Sequence, residues 1–126
     1  MFLLLALYGS AHSQRTRRLL LFASDSTNVD LLNQRKWLEA EREAVEARDI
    51  WLAVFSEPKK FRRMYEYHGV GRADFMLVLV GKDGVEKMRS EKPVPAEELF
   101  EFIDEMILKG TETQDVETTG GRSDRK

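Results

Sequence analysis

Five consecutive polar residues, Ser24-Asp25-Ser26-Thr27-Asn28, follow an apolar run and precede a helical pattern. Hydroxyls and a carboxylate at such a turn could do two kinds of chemistry. A Ser or Thr could act as a nucleophile if a base lay beside it. Alternatively the cluster could hold an anion, because the free N–H groups that open a helix attract negative charge. The chain has only two histidines, His12 and His68, and His68 shares the apolar side of a short helical pattern with Phe61, Met64 and Tyr65. A nucleophile in the turn therefore lacks an evident base. Capping accounts for the same composition, since Ser, Thr, Asp and Asn are the residues that satisfy a helix's first N–H groups. Ser24, Asp25, Ser26 and Thr27 are expected to form a structural turn with a candidate binding role, and no catalytic residue is assigned.

A second group is cationic. "KKFRR" at 59–63 is a local basic cluster with Arg72 close behind it. It carries no interleaved stacking platform of the kind that holds single-stranded nucleic acid. A solvated helix face is the expected state, with an anionic surface as the sharper alternative. No metal-ligand spacing and no phosphate-binding loop is visible, so neither metal nor cofactor is expected. The chain contains no cysteine, which excludes disulfides, thiolate nucleophiles and thiol redox cycling together.

The composition sets the frame for these residues. With 126 residues, 42% hydrophobic and 33% charged, the chain has room for one domain and one core. A formal charge of −2 argues against nucleic acid as a partner. Residues 2–8, "FLLLALY", followed by Ala11 and Ser13, resemble the apolar region and cleavage site of a secretory signal lacking its basic start. That run is far shorter than the ~20 residues of a membrane-spanning helix. The expected organisation is a signal peptide at 1–13, a folded domain at 15–110 and a disordered tail at 111–126, in a periplasmic or secreted protein.

Within the domain, the apolar runs 18–24, 50–56 and 75–80 read as strands covered on both faces. "VEKMRS" at 85–90 alternates and reads as a half-exposed neighbour. A helix is expected from Val29 to Ala47, with Leu31, Leu38 and Val45 on one stripe and Trp37, Ala40, Ala44 and Ala47 on a second. Pro58 is expected to open a short helix that stops at Gly69. Pro95 starts the last helix, where Leu99, Phe102, Ile103, Met106 and Ile107 follow the helical period. "GKDG" at 81–84 predicts a tight hairpin through Asp-Gly. The order is β-α-β-α-β-β-α. It predicts an α/β fold with a mixed four-stranded sheet and helices on both faces, the arrangement of the thioredoxin fold.

The segments "LLLFA" at 19–23, "NQR" at 33–35, "ARDI" at 47–50, "GKDGVEKMRS" at 81–90 and "PVPAEELFEFIDEM" at 93–106 carry a resemblance. The chain resembles a thioredoxin-like, peroxiredoxin-related domain of unknown function. That domain occurs in small exported bacterial proteins and in matrix proteins of the sushi-repeat and coiled-coil-domain-containing type. The resemblance spans roughly residues 18–108. It implies an exported thioredoxin-like domain, for which an oxidoreductase role rests on fold analogy alone. In redox-active relatives a cysteine opens the first helix, and thioredoxins carry a cis-proline before the third strand; here "SDSTNVD" and "RADFM" have neither.

The polar positions carried by the resemblance are Gln34, Arg35, Lys82, Lys87 and Arg89. They are expected to protect an exposed strand against edge pairing, with a candidate polar or anion-binding surface as the functional alternative, and Lys87 and Arg89 on one face of their strand. The function expected is a non-catalytic binding or assembly module whose partner is a protein or an anionic envelope component. An enzyme with a cysteine-free site at the turn is the alternative.

Overall fold

The computed structural model describes residues 16–112. The strands are β1 (Arg17–Ala23), β2 (Ile50–Phe55), β3 (Phe75–Val80) and β4 (Glu86–Ser90); the helices are α1 (Val29–Ala40), α2 (Arg42–Ala47), α3 (Arg62–Tyr67) and α4 (Ala96–Lys109). One sheet runs in the order β2-β1-β3-β4. β1 pairs parallel with β2 and antiparallel with β3, and β3 pairs antiparallel with β4.

β1 and β3 are central and almost wholly apolar, because each of their faces packs against helices. On one face Leu19, Leu21, Leu77 and Leu79 meet Leu31 and Leu38 of α1 and Leu99, Ile103 and Met106 of α4. On the other, Leu20, Phe22, Met76 and Val78 meet Tyr65 of α3 and Val70. The mixed sheet with helices on both faces is as expected from the apolar runs.

Several local expectations are corrected. The helix from Val29 to Ala47 breaks at Glu41, whose φ of −116° and ψ of 37° leave the helical region. The Glu41 N–H bonds the Leu38 carbonyl, three residues back, and a new helix starts from there. The break narrows the apolar stripe: Leu31, Leu38 and Val45 remain on the core side, whereas Trp37, Ala40 and Ala47 are exposed. Pro58 does not open α3; the chain turns through 58–61 before the helix begins at Arg62.

The hairpin is also looser than a two-residue turn. Gly84 alone takes a positive φ there, 80°, and its N–H bonds the Gly81 carbonyl at 2.9 Å, leaving Asp83 with an ordinary backbone. This is a turn closed by a left-handed glycine. A bulge follows, because Leu79 pairs with Met88 but Val80 pairs with Glu86, which leaves Lys87 unmatched.

The folded part also extends past Gly110. Arg17, at the start of β1, is buried and bonds the Glu112 carboxylate through Nε at 3.0 Å and Nη2 at 2.7 Å. Glu112 also accepts from the Lys82 N–H at 2.8 Å. The tail expected to start at residue 111 thus contributes its first two residues to the fold. The expected signal segment at 1–13 lies outside the described residues, as does the rest of the tail.

Candidate functional site

β1 ends at Ala23, and the Ser24 N–H donates to the Asp74 carbonyl at 3.0 Å, the last bond before the chain leaves β3. Asp25 then closes a turn on itself. Its Oδ1 accepts from the Thr27 N–H at 2.8 Å and from the Thr27 hydroxyl at 2.6 Å. Asn28 is the N-cap: its Oδ1 accepts from the Leu31 N–H at 2.9 Å, while its Nδ2 donates to the Asp74 carbonyl at 3.2 Å. The capping expected of this cluster therefore falls on Asn28, with Asp25 and Thr27 shaping the approach and Ser24 and Ser26 exposed.

The electrostatics of the turn are those of a ligated carboxylate. The Thr27 hydroxyl and then the Thr27 N–H hold the Asp25 carboxyl below its ordinary value. A carboxylate so stabilised is a poor proton acceptor. His68 does not supply a base either. Its ring packs against Phe22 and Tyr67, burial lowers its pKa, and it makes no hydrogen bond to a turn hydroxyl.

Beside the turn, the carboxyl ends of β1 and β2 are held together by Tyr65, a residue whose helical spacing marks it only as core. The Tyr65 hydroxyl lies 2.8 Å from the Ala23 carbonyl oxygen and 2.7 Å from that of Phe55, its single proton shared between the two where the ladder ends. Burial raises its pKa. Its helical spacing with Phe61 gave its face, but nothing in the sequence marked its hydroxyl. An open depression lies here, lined by Ser24, Ser56, Glu57, Pro58, Lys59 and Lys60. It joins the turn to the start of the basic cluster.

The second candidate surface is dispersed by the fold. Gln34 is not on the surface at all. It is fully buried, donating through Nε2 to the Val94 carbonyl at 2.8 Å and accepting through Oε1 from the Val94 N–H at 2.7 Å. It lies in the same helical stripe as Leu31 and Leu38, and the amide meets a backbone segment that would otherwise lack partners. Arg35 is exposed on α1.

Lys82 bonds Asp49 at 2.9 Å, and Lys87 bonds Asp83 at 2.8 Å and the Thr111 carbonyl at 3.0 Å. Arg89 is held elsewhere, by Glu86 and by the carbonyls of His68 and Gly69. Lys87 and Arg89 do not share a face as alternation predicts. The bulge turns Lys87 toward the segment after α4 and leaves Arg89 on the α3 side with Glu86.

Among the described residues no group of three or more His, Asp or Glu is placed to hold a metal ion. No helix among them is long and apolar enough to cross a membrane.

Comparison with known proteins agrees with this geometry. Thioredoxin z of the chloroplast is 17% identical, with a TM-score of 0.61 over 82% of this chain and 88% of that one. Thioredoxin-2 of the malaria parasite, described as a component of its protein secretion machinery, is 14% identical with a TM-score of 0.58, covering 71% and 82%. A disulphide isomerase from Xylella fastidiosa Temecula1 is 11% identical with a TM-score of 0.53, covering 79% and 84%. These likenesses establish a thioredoxin-like fold. No curated protein matches the chain. One family model does, over residues 10–112, ending at the residue whose carboxylate holds Arg17. The chain belongs to that family, the domain of unknown function DUF4174.

Proposed function

We propose that this chain is a non-catalytic binding module that acts outside the cytoplasm and uses a thioredoxin-like scaffold without thiol chemistry. One observation carries the reading. Where redox-active relatives open the first helix with cysteine, this cysteine-free chain has a turn in which Asp25, Thr27 and Asn28 are engaged with one another and with the backbone. Asp25 and Thr27 bond each other, and Asn28 bonds Leu31 and Asp74. Such a turn is built to hold a shape. Binding is then assigned to the open depression beside it, where the exposed Ser24 hydroxyl and the ammonium groups of Lys59 and Lys60 suit an acidic group on a protein or envelope component.

The location outside the cytoplasm is supported by "FLLLALY" and the small residues after it. Protein from the native source should be found in the envelope or medium with an N-terminus near Gln14; an intact Met1 in the cytoplasm overturns that part. For the binding role, the purified chain should neither reduce disulfides nor consume peroxide. Affinity capture from envelope extract should recover a partner that Lys59→Glu with Lys60→Glu no longer holds. Turnover by the chain alone, abolished by Ser24→Ala or Thr27→Val without a change in melting temperature, would replace this reading with an enzyme.

A further inference from the structure

The two edges of the sheet are treated differently by the sequence. β4 (EKMRS) places three charged residues in five and is bulged at Lys87, both of which discourage another strand from pairing. β2 (IWLAVF) has no charge, no proline and no glycine, and its pairing with β1 is regular. Among the described residues it is nonetheless a terminal strand. The Arg17 N–H donates to the Asp49 carbonyl at 2.8 Å, with Arg17 in register with Ile50. Successive residues of a strand turn their backbone groups to opposite sides. Asp49, Trp51, Ala53 and Phe55 therefore face β1, and the N–H and C=O groups of Ile50, Leu52 and Val54 face outward. Among the described residues none of these outward groups has a backbone partner.

We infer that this edge is closed by the β2 edge of a second copy of the chain, antiparallel about a two-fold axis, so that one sheet runs through both protomers. The geometry of the strand selects that occupant. With Leu52 on the axis, Ile50 lies opposite Val54 in both directions, and every outward group of the three residues acquires a partner. The same register sets Trp51, which is 56% exposed, opposite the small Ala53 of the other copy.

The flanks agree with the pairing. Glu46 and Asp49 precede β2, and Lys59 and Lys60 follow it, all four exposed. Arg48 also precedes the strand, but its guanidinium is turned inward onto Asp104 and over the Phe100 ring. Asp49 also holds Lys82, and Glu57 offsets one lysine. Antiparallel pairing brings the acidic entry of each copy toward the basic exit of the other, whereas parallel pairing would set like charges together. Lys59 and Lys60 also line the depression assigned to binding, whereas the backbone pairing itself involves only the edge of the sheet, so substitutions at Leu52 and Trp51 test it without altering that depression.

Light scattering on the purified full chain across a wide concentration range tests the inference, together with hydrogen exchange at the Leu52 and Val54 amides. A dimer is expected, with exchange at those amides slowing as concentration rises. Leu52→Pro removes an N–H that β1 does not use, so it should leave a folded monomer. Trp51→Lys, a change at an exposed side chain, should weaken the dimer by roughly tenfold or more while circular dichroism is retained. A chain that stays monomeric overturns the inference. So does a dimer indifferent to both substitutions, and so does a monomer whose Leu52 and Val54 amides are already protected, which would mean that residues 2–8 or another segment of the same chain closes the edge.

Discussion

The Asn28 carboxamide works in two directions, accepting from the first turn of α1 and donating to the Asp74 carbonyl that also receives the Ser24 N–H. It therefore fixes both the start of the helix and the segment entering β3. Asn28→Ala should cost about 0.5–2 kcal/mol in urea unfolding, and Asn28→Asp less, because the cap acceptor survives. Substitutions at exposed Ser24 or Ser26 should change stability by no more than about 0.5 kcal/mol. Gln34 is the other residue whose loss should be felt. Gln34→Ala would leave the Val94 N–H and C=O buried without partners, at about 1–3 kcal/mol for each. Gln34→Leu should fare no better, since it fills the space without restoring the bonds. A Gln34→Leu variant as stable as the parent would show that the segment around Val94 finds other partners.

At the scale of elements, what could be read in advance was whatever depends on apolar periodicity. β1, β3 and α4 fall within a residue of their expected bounds, because a run as short as "FMLVLV", bounded by turn residues, fits a buried strand rather than a helix, and the longer period of α4 fits only a helix. The features that escaped are those set by a backbone torsion or by a distant partner. The break at Glu41 has no Gly or Pro to announce it, and the bulge at Lys87 is invisible in a pattern that alternates cleanly on paper. Which polar residue would cap α1 depended on where β1 released the chain, so five capping residues in a row could not be ranked.

The contact between α3 and β4 has a pH dependence whose sign follows from its charges. His68, half-buried between them, has its pKa lowered from 6.5, first by burial. The folded state therefore binds fewer protons than the unfolded chain below that value, and stability falls as pH drops from 6.5 through the folded pKa. Glu86, held down chiefly by its bond to Arg89, and Asp104, held down chiefly by Arg48, add losses of the same sign at lower pH, from 4.5 and 3.8 respectively. Melting temperature should be level above 6.5 and decline below it. His68→Gln should remove the first part of the decline and leave the carboxylate part intact.

For the molecule as a whole, the end of the sheet opposite the turn is tied by charge. Arg17 begins β1, Glu112 follows α4, and their ion pair is buried, with 5% and 8% of the two side chains exposed. The Arg17 guanidinium also donates to the Arg48 carbonyl at 2.6 Å, so one side chain joins the first strand, the α2–β2 connection and the last helix. Gly81 sits against the same cluster: a Cβ there would lie 2.7 Å from Lys87 Cε and 2.9 Å from the Asp83 carboxylate, so those side-chain ends would have to shift to admit it. Burying a charge without its partner is costly, and removing one member of a buried pair typically destabilises by about 3–5 kcal/mol. Ending the chain after Gly110 should accordingly lower stability by roughly that amount, whereas ending it after Gln114 should be nearly neutral. Arg17→Met in the shortened chain should recover part of the loss, since it removes the stranded cation. Denaturant unfolding of the three proteins decides the matter. Equal stability of the two truncations would mean that the Arg17–Glu112 pair does not hold the fold together, and that the sheet and α4 close without it.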